Sequence, residues 1–295
     1  MKKLIIGLGE VLWDVLPEGK KIGGAPANFA FFTRQFGNEA IAISAVGEDS
    51  LGEEAIEALK SNGLSLITPR IAFPTGSVTV TLDAKGVPTY TINQGVAWDN
   101  IPFTEEMEKA AKKCDAVCWG TLAQRSETSR NSINKFISLT RKDCLRIFDI
   151  NLRGDFYSKE VIGKSLKDCS VLKINDEEYP IVANMFGYGN PPYEDGCKRI
   201  MKDFDIDTVI LTCGATGSYV FTSKGERSYI ETPKVKVADT VGAGDSFTGT
   251  FCSALLVNLP IKEAHRLAVE VSAYVCTQNG AMPKLPEKLI AEILN

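Results

Sequence analysis

Histidine occurs once in this chain of 295 residues, at position 265. A mechanism resting on a catalytic histidine, or a metal centre built from several, has almost nothing to draw on, so any proton acceptor is expected to be a carboxylate. His265 itself falls in the polar pattern IKEAHRLA and is expected on the solvated face of a helix. Long apolar runs are absent as well. The N-terminal stretch MKKLIIGLGEVLWD is broken by glycines and then by Glu10 and Asp14. Its apolar run is too short for a signal-peptide core and far short of the ~20 residues of a membrane span, and it reads as the buried first strand of a cytoplasmic protein. Charge of one sign is not concentrated anywhere: 33 Lys and Arg stand against 37 Asp and Glu, a net charge of −4. That leaves no electrostatic footprint for nucleic acid or an anionic membrane surface and points to a small-molecule partner. The eight cysteines (114, 118, 144, 169, 197, 213, 252 and 276) include no Cys-x-x-Cys pair. Several lie in apolar runs such as VCWGTL, so reduced core thiols are expected rather than disulfides or zinc.

What is present is an apolar fraction of 44%, enough for a substantial core, with no repeat, low-complexity tract or linker to divide it. Runs rich in Val and Ile recur at Leu4–Leu8, Ile41–Val46, Ala116–Trp119, Leu145–Ile150, Val171–Ile174 and Thr208–Thr212. Amphipathic stretches such as GEEAIEALKSNG and RNSINKFISLTRK fall between most of them. Strands apolar throughout, alternating with helices, predict an α/β fold: a doubly wound, mostly parallel sheet covered on both faces. One region departs from this. In TGSVTVTLDAKGVPTYTINQ, Ser77, Thr79 and Thr81 alternate with Val78, Val80 and Leu82, which predicts a β-hairpin turning at Asp83–Gly86. A single domain over residues 1–295 is expected, with a small β-sheet lid from about 11–22 and 68–98 whose exposed apolar face pairs with a second copy of the chain.

Five short constellations carry possible chemistry. Gly9-Glu10-x-x-x-Asp14 follows the first strand, where ligands of open α/β sheets gather, and Asp14 is the better placed acid for substrate hydroxyls. It is not a dinucleotide fingerprint, since Leu12 stands where the third glycine belongs. Gly23-Gly24-Ala25-Pro26-Ala27-Asn28 opens an apolar helix, with Pro26 suited to the first turn and Asn28 able to present donor and acceptor to a polyol. Asn175 and Glu178 have the spacing of a helix cap, and equally of a pair facing the phosphates of a magnesium nucleotide. Gly214-Ala-Thr-Gly217 reads as a turn between strands, which also offers backbone donors. Most specific is DTVGAGDSFTGT, residues 239–250: Gly242, Ala243 and Gly244 open a helix whose N–H groups form an anion site. No lysine follows, so it is not the familiar phosphate loop.

Taken in order, GGAPAN, N-x-x-E and DTVGAGDSF resemble the signatures of the ribokinase-like, or PfkB, carbohydrate kinases along essentially the whole chain. GEVLWD, GGAPANFA and FDINLR are most similar to the fructokinase branch, with Ile150 where relatives often have proline. The resemblance implies transfer of the γ-phosphate of ATP to a sugar hydroxyl, fructose to fructose 6-phosphate in this branch. It implies Asp245 as catalytic base, an anion hole at Gly242, Ala243 and Gly244, and sugar contacts from Asp14, Gly24, Asn28 and Arg153. Asn175 and Glu178 would support Mg2+ and phosphate, Gly214 and Gly217 would meet the nucleotide, and backbone near Asp239, Val241 and Gly280 would hold K+. A helix N-terminus favours an ionised Asp245 at neutral pH. Kinases of 2-keto-3-deoxygluconate, ribose or nucleosides in the same family remain alternatives, as does a non-catalytic sugar or nucleotide sensor. The hairpin offers one basic residue, Lys85, which favours a neutral sugar.

Overall fold

In the computed structural model, residues 2–16, 19–82 and 88–294 are described. The expected apolar runs form the middle of a nine-stranded sheet. From one edge, its order is Arg227–Glu231, Gly217–Thr222, Thr208–Thr212, Val171–Asn175, Leu145–Asp149, Ala116–Trp119, Leu4–Leu8, Glu39–Ile43 and Ser65–Ile67. The seven strands from Thr208–Thr212 to Ser65–Ile67 run parallel; Gly217–Thr222 reverses against them, and Arg227–Glu231, antiparallel to it, returns to their direction. Their side chains alternate between two cores. Ile6 and Leu8 pack on one face with Trp98, Trp119 and Phe148, while Ile5 packs on the other with Phe29, Phe32, Phe247 and Phe251. Burial on both sides is why these strands read as unbroken apolar runs.

Parallel strands send all their C-terminal ends to one edge of the sheet, and the loops there gather the segments carrying Glu10, Asn151, Asn175 and Gly214. The helices Ala25–Gln35 and Ala243–Leu256 pack against each other on one face. Their approach depends on Gly249. A Cβ there would stand 3.0 Å from Phe32 Cβ and 3.1 Å from the Phe29 carbonyl oxygen, so a larger residue would require the two helices to shift where they touch.

A second sheet of four strands runs in the order Gly19–Gly23, Leu12–Leu16, Gly76–Leu82, Pro88–Ile92. The predicted hairpin supplies its last two strands, while its turn, Asp83–Gly86 with Lys85, lies outside the described residues. Two lysines outside the hairpin, Lys20 and Lys21, belong to the same sheet, opposite Val15 and Asp14. Val78, on the apolar side of the hairpin, is already buried within one chain, whereas Val15 and Phe73 are exposed. At the base of the sheet, Asp49 caps the helix Ser50–Ser61 through the Gly52 N–H and also accepts hydrogen bonds from the Thr75 hydroxyl and N–H.

His265 overturns the expectation of a solvated residue. It is fully buried, with Nε2 2.8 Å from Ser218 Oγ and Nδ1 2.8 Å from Ser228 Oγ. The helix Ile261–Cys276 lies on the edge strands, and two small hydroxyl residues there supply both ring nitrogens with partners. Burial lowers its pKa to about 4, so the ring is neutral. All eight cysteines are free thiols, seven of them buried and Cys276 half-buried. Among the described residues no helix is long and apolar enough to cross a membrane.

Candidate active site

The helix Ala243–Leu256 starts at Gly242, which takes a left-handed conformation with φ 80°. The Ala243 N–H is spent on the Thr240 carbonyl, and the Ser246 N–H begins the helical ladder by bonding Gly242 O. The N–H groups of Gly242, Gly244 and Asp245 have no acceptor among the described residues. Unspent donors at a helix start, with the helix dipole behind them, are what an anion would bind to. The Asp239 carboxylate steadies the preceding loop, accepting from the Val241 N–H at 3.0 Å and the Gly280 N–H at 3.1 Å.

Asp245 turns to the neighbouring helix, where Asn28 Nδ2 donates to its Oδ2 at 2.7 Å across 217 residues of sequence. Asn28 sits in the first turn of Ala25–Gln35, with Gly24 at the cap and Pro26 behind it. Burial, and then the negative charge of Asp149, push the Asp245 carboxyl up to about 6, against the pull of Asn28, Lys173 and Arg153. The helix start alone predicts a lower value; desolvation outweighs it. At pH 7 such a group is still roughly nine-tenths ionised and sits close to the operating pH, the condition that suits a general base.

Beneath the turn lies a cation that pattern reading passed over. Lys173 is buried on the strand Val171–Asn175, its Nζ 3.1 Å from Asp149 Oδ1. A Cβ on Gly244 would stand 3.2 Å from that Nζ, so a small residue here keeps the ammonium close under the anion site. Desolvation works against its charge, but Asp149, Glu178 and Asp245 together hold the pKa above the usual lysine value. The available signal was a charge inside an otherwise apolar strand of a sheet covered on both faces. Asp149, also unassigned, lies 3.2 Å from the Thr248 hydroxyl, which is 2.9 Å from the Gly244 carbonyl.

Asn175 and Glu178 do make the reciprocal cap. Asn175 Oδ1 accepts from the N–H groups of Glu177 and Glu178, while Glu178 Oε2 accepts from Asn175 N and Oε1 from Leu152 N. Glu178 thereby ties the 151–153 loop to the end of the neighbouring strand. Burial raises its pKa, opposed by Lys173. A cavity of about 630 Å³ opens beside these residues, lined by Asn175, Gly214, Gly217, Ala243, Gly244 and an apolar side that includes Val237. Its size and mixed lining suit a nucleotide. Glu178 lies outside that lining, behind Asn175 and Glu177.

Arg153 is exposed, with Nη1 on the Leu152 carbonyl, and its charge reaches both Asp245 and Glu10. Asp14 sits apart from Asp245, half-buried in the small sheet. Burial raises its pKa, with Lys21 lowering it and Asp239 raising it. Lys21 Nζ in turn lies 3.9 Å from Asp239 Oδ2. The structure thus brings Gly24, Asn28, Arg153 and the 242–245 turn to one end, and Gly214 and Gly217 to the nucleotide-sized cavity. Asp14 is set on the sheet that faces the Asp239 loop. Among the described residues no cluster of three or more His, Cys, Asp or Glu side chains is arranged to hold a metal ion.

Comparison with known proteins gives the family and the fold. The model of the pfkB family carbohydrate kinases matches residues 13–288. A probable fructokinase-4 of Arabidopsis thaliana is 27% identical, over 97% of this chain and 94% of its own. An ATP-dependent 6-phosphofructokinase of Thermoanaerobacterium thermosaccharolyticum is 26% identical, over 96% of this chain and 91% of its own. The crystal structure of an uncharacterized sugar kinase from Pyrococcus horikoshii superposes with a TM-score of 0.84 at 25% identity, covering 99% of this chain and 100% of that one. With nearly its whole length matched, the chain belongs to the pfkB family of carbohydrate kinases, enzymes that move a phosphoryl group from ATP to a sugar hydroxyl.

Proposed function

We propose that the protein phosphorylates a neutral sugar, D-fructose in the first instance, to fructose 6-phosphate. The observation that carries this reading is the 2.7 Å hydrogen bond from Asn28 to Asp245 beside the unspent N–H groups of Gly242 and Gly244. It sets a proton acceptor next to an anion site. Phosphoryl transfer needs little covalent help beyond alignment and stabilisation of spread negative charge. Asp245 accepts the proton of the attacking hydroxyl, while the turn and the buried Lys173 ammonium meet the charge that develops. Asp14, Gly24, Asn28 and Arg153 position the sugar, and Gly214 and Gly217 border the nucleotide. Glu178 keeps lone pairs free beyond the two N–H bonds it accepts, which would suit metal-bound water, while Asn175, its Oδ1 taken by two N–H groups, would offer its NH2 group to phosphate oxygen. Mg2+, when bound, neutralises phosphate charge. K+ at the carbonyls near Asp239, Val241 and Gly280 would support the anion turn.

In this reading residues 1–295 form one kinase domain and the four-stranded sheet is its lid. A homodimer through that lid is supported by the exposed Val15 and Phe73, and a reducing cytoplasm by the eight free thiols. Lys21 and Arg153 favour a second reading, an acidic acceptor such as 2-keto-3-deoxygluconate or a sugar phosphate. Lys21 already faces two carboxylates, Asp14 and Asp239, which leaves it little charge to offer and tips the balance to a neutral sugar. ADP release measured with ATP and Mg2+ against neutral sugars, sugar acids, sugar phosphates and nucleosides separates these. Turnover is expected on fructose above the rest. Turnover confined to an acidic acceptor, or to nucleosides, contradicts the reading.

A further inference from the structure

Two oxygens beside Asp245 are buried and accept no hydrogen bond: Glu10 Oε2 and Asn28 Oδ1. Both residues are only 4% exposed. Glu10 lies just past the strand Leu4–Leu8, and its segment is clamped to the start of the helix Ala25–Gln35. A Cβ on Gly24 would stand 2.2 Å from the Glu10 carbonyl oxygen and 3.2 Å from Val11 Cα. The backbone N–H groups of Glu10 and Ala25 act on its carboxylate, and so do the charges of Asp245 from the helix Ala243–Leu256 and of Arg153 from the 151–153 loop. Burial, reinforced by Asp245, pushes this carboxyl up to about 7. A buried acceptor without a donor is costly. Two of them at the acceptor end of the site give a reason for the cost, since a polyol is rich in hydroxyl donors.

We propose that Glu10 is a sugar-binding residue: with Asn28 Oδ1 it supplies buried acceptors for hydroxyls of the sugar other than the one phosphorylated. The assignment rests on the kinase reading above and deepens it to a substrate class. A neutral polyol with adjacent hydroxyls fits such a pair, whereas a carboxylate or phosphate placed there would meet Glu10 and Asp245 as like charges. Glu10 thereby does for the sugar what Asp245 does for the reacting hydroxyl, and Arg153 offsets the charge of both.

The competing role is structural, a carboxylate that caps the helix Ala25–Gln35. Glu10→Gln separates the two. Its amide oxygen still serves the Ala25 N–H, leaving the NH2 group where Oε2 accepted. A cap is preserved; an acceptor for a sugar hydroxyl becomes a donor. Steady-state kinetics of the wild type and E10Q are compared on the sugar that turns over fastest and on its single-deoxy analogues, with thermal unfolding as the folding control. Sugar KM is expected to rise about tenfold in E10Q, the scale of one lost buried hydrogen bond. The KM for ATP, kcat and the unfolding midpoint should stay near wild type. One deoxy analogue should bind the wild type more weakly than the parent sugar yet show no further loss in E10Q. An unchanged sugar KM in E10Q, or an equal loss on the parent and every analogue, overturns the role of Glu10 alone. A wild type idle on every neutral sugar overturns the parent reading and this assignment with it.

Discussion

At Asp245 the helix start favours the ionised carboxylate while burial and Asp149 disfavour it, and the balance leaves a pKa of about 6, up from 3.8. Activity and stability then respond to pH in opposite senses. Below about pH 6 the acceptor is protonated, so kcat/KM should fall about tenfold per pH unit, with a plateau above. Between 3.8 and 6 the native state binds more protons than the unfolded chain, so this group's contribution to stability falls as pH rises. Above that window the cost is complete, on the order of 2–3 kcal/mol. Asp245→Asn should therefore raise the unfolding midpoint by a few degrees, and more at pH 8 than at pH 5, in thermal scans. An equal or lower midpoint at pH 8 would show that burial is not what sets this pKa. The position of Asp245 was legible in the sequence because a glycine turn before an apolar helix is a local feature. Its proton affinity was not, because Asp149 and Lys173 reach it through the tertiary fold.

The middle of the large sheet was legible, since strands buried on both faces leave unbroken runs of Val and Ile, and Leu4–Leu8, Ala116–Trp119 and Thr208–Thr212 fall where those runs do, whereas the edge strands Ser65–Ile67 and Arg227–Glu231 were not foreseen. His265 was not, because IKEAHRLA has the spacing of an exposed face and only the edge strands Gly217–Thr222 and Arg227–Glu231 turn that face inward. As the sole histidine, its ring signals in a nitrogen-edited NMR titration are unambiguous. The ring should remain neutral down to about pH 5, consistent with its pKa near 4. Protonation near 6.5 would mean the ring is not enclosed between Ser218 and Ser228. Since the unfolded chain binds this proton near 6.5 and the native one near 4, stability is lost progressively as pH falls through that interval.

At the scale of the whole molecule, an ion pair between described residues, Lys21 to Asp239 at 3.9 Å, links the small sheet to the loop before the glycine turn. Such pairs add about 0–1 kcal/mol, so Lys21→Ala should leave the unfolding midpoint almost unmoved. Asp239 also fixes Val241 and Gly280, so the same change should raise the sugar KM a few-fold if the sheet acts as a lid; an unchanged KM would detach the sheet from acceptor binding. The joining of segments 11–22 and 68–98 in one small sheet was expected from the sequence and is what the strand order shows, but this long-range ion pair was invisible there. The central claim is that Asp245 takes the proton of the sugar hydroxyl. Asp245→Asn tests it most directly, with sugar and nucleotide affinities from calorimetry and turnover from ADP release. The account predicts affinities within about threefold of wild type and turnover lower by about 10²-fold or more, the scale of a lost general base. Turnover close to wild type, with both ligands still bound, would contradict it.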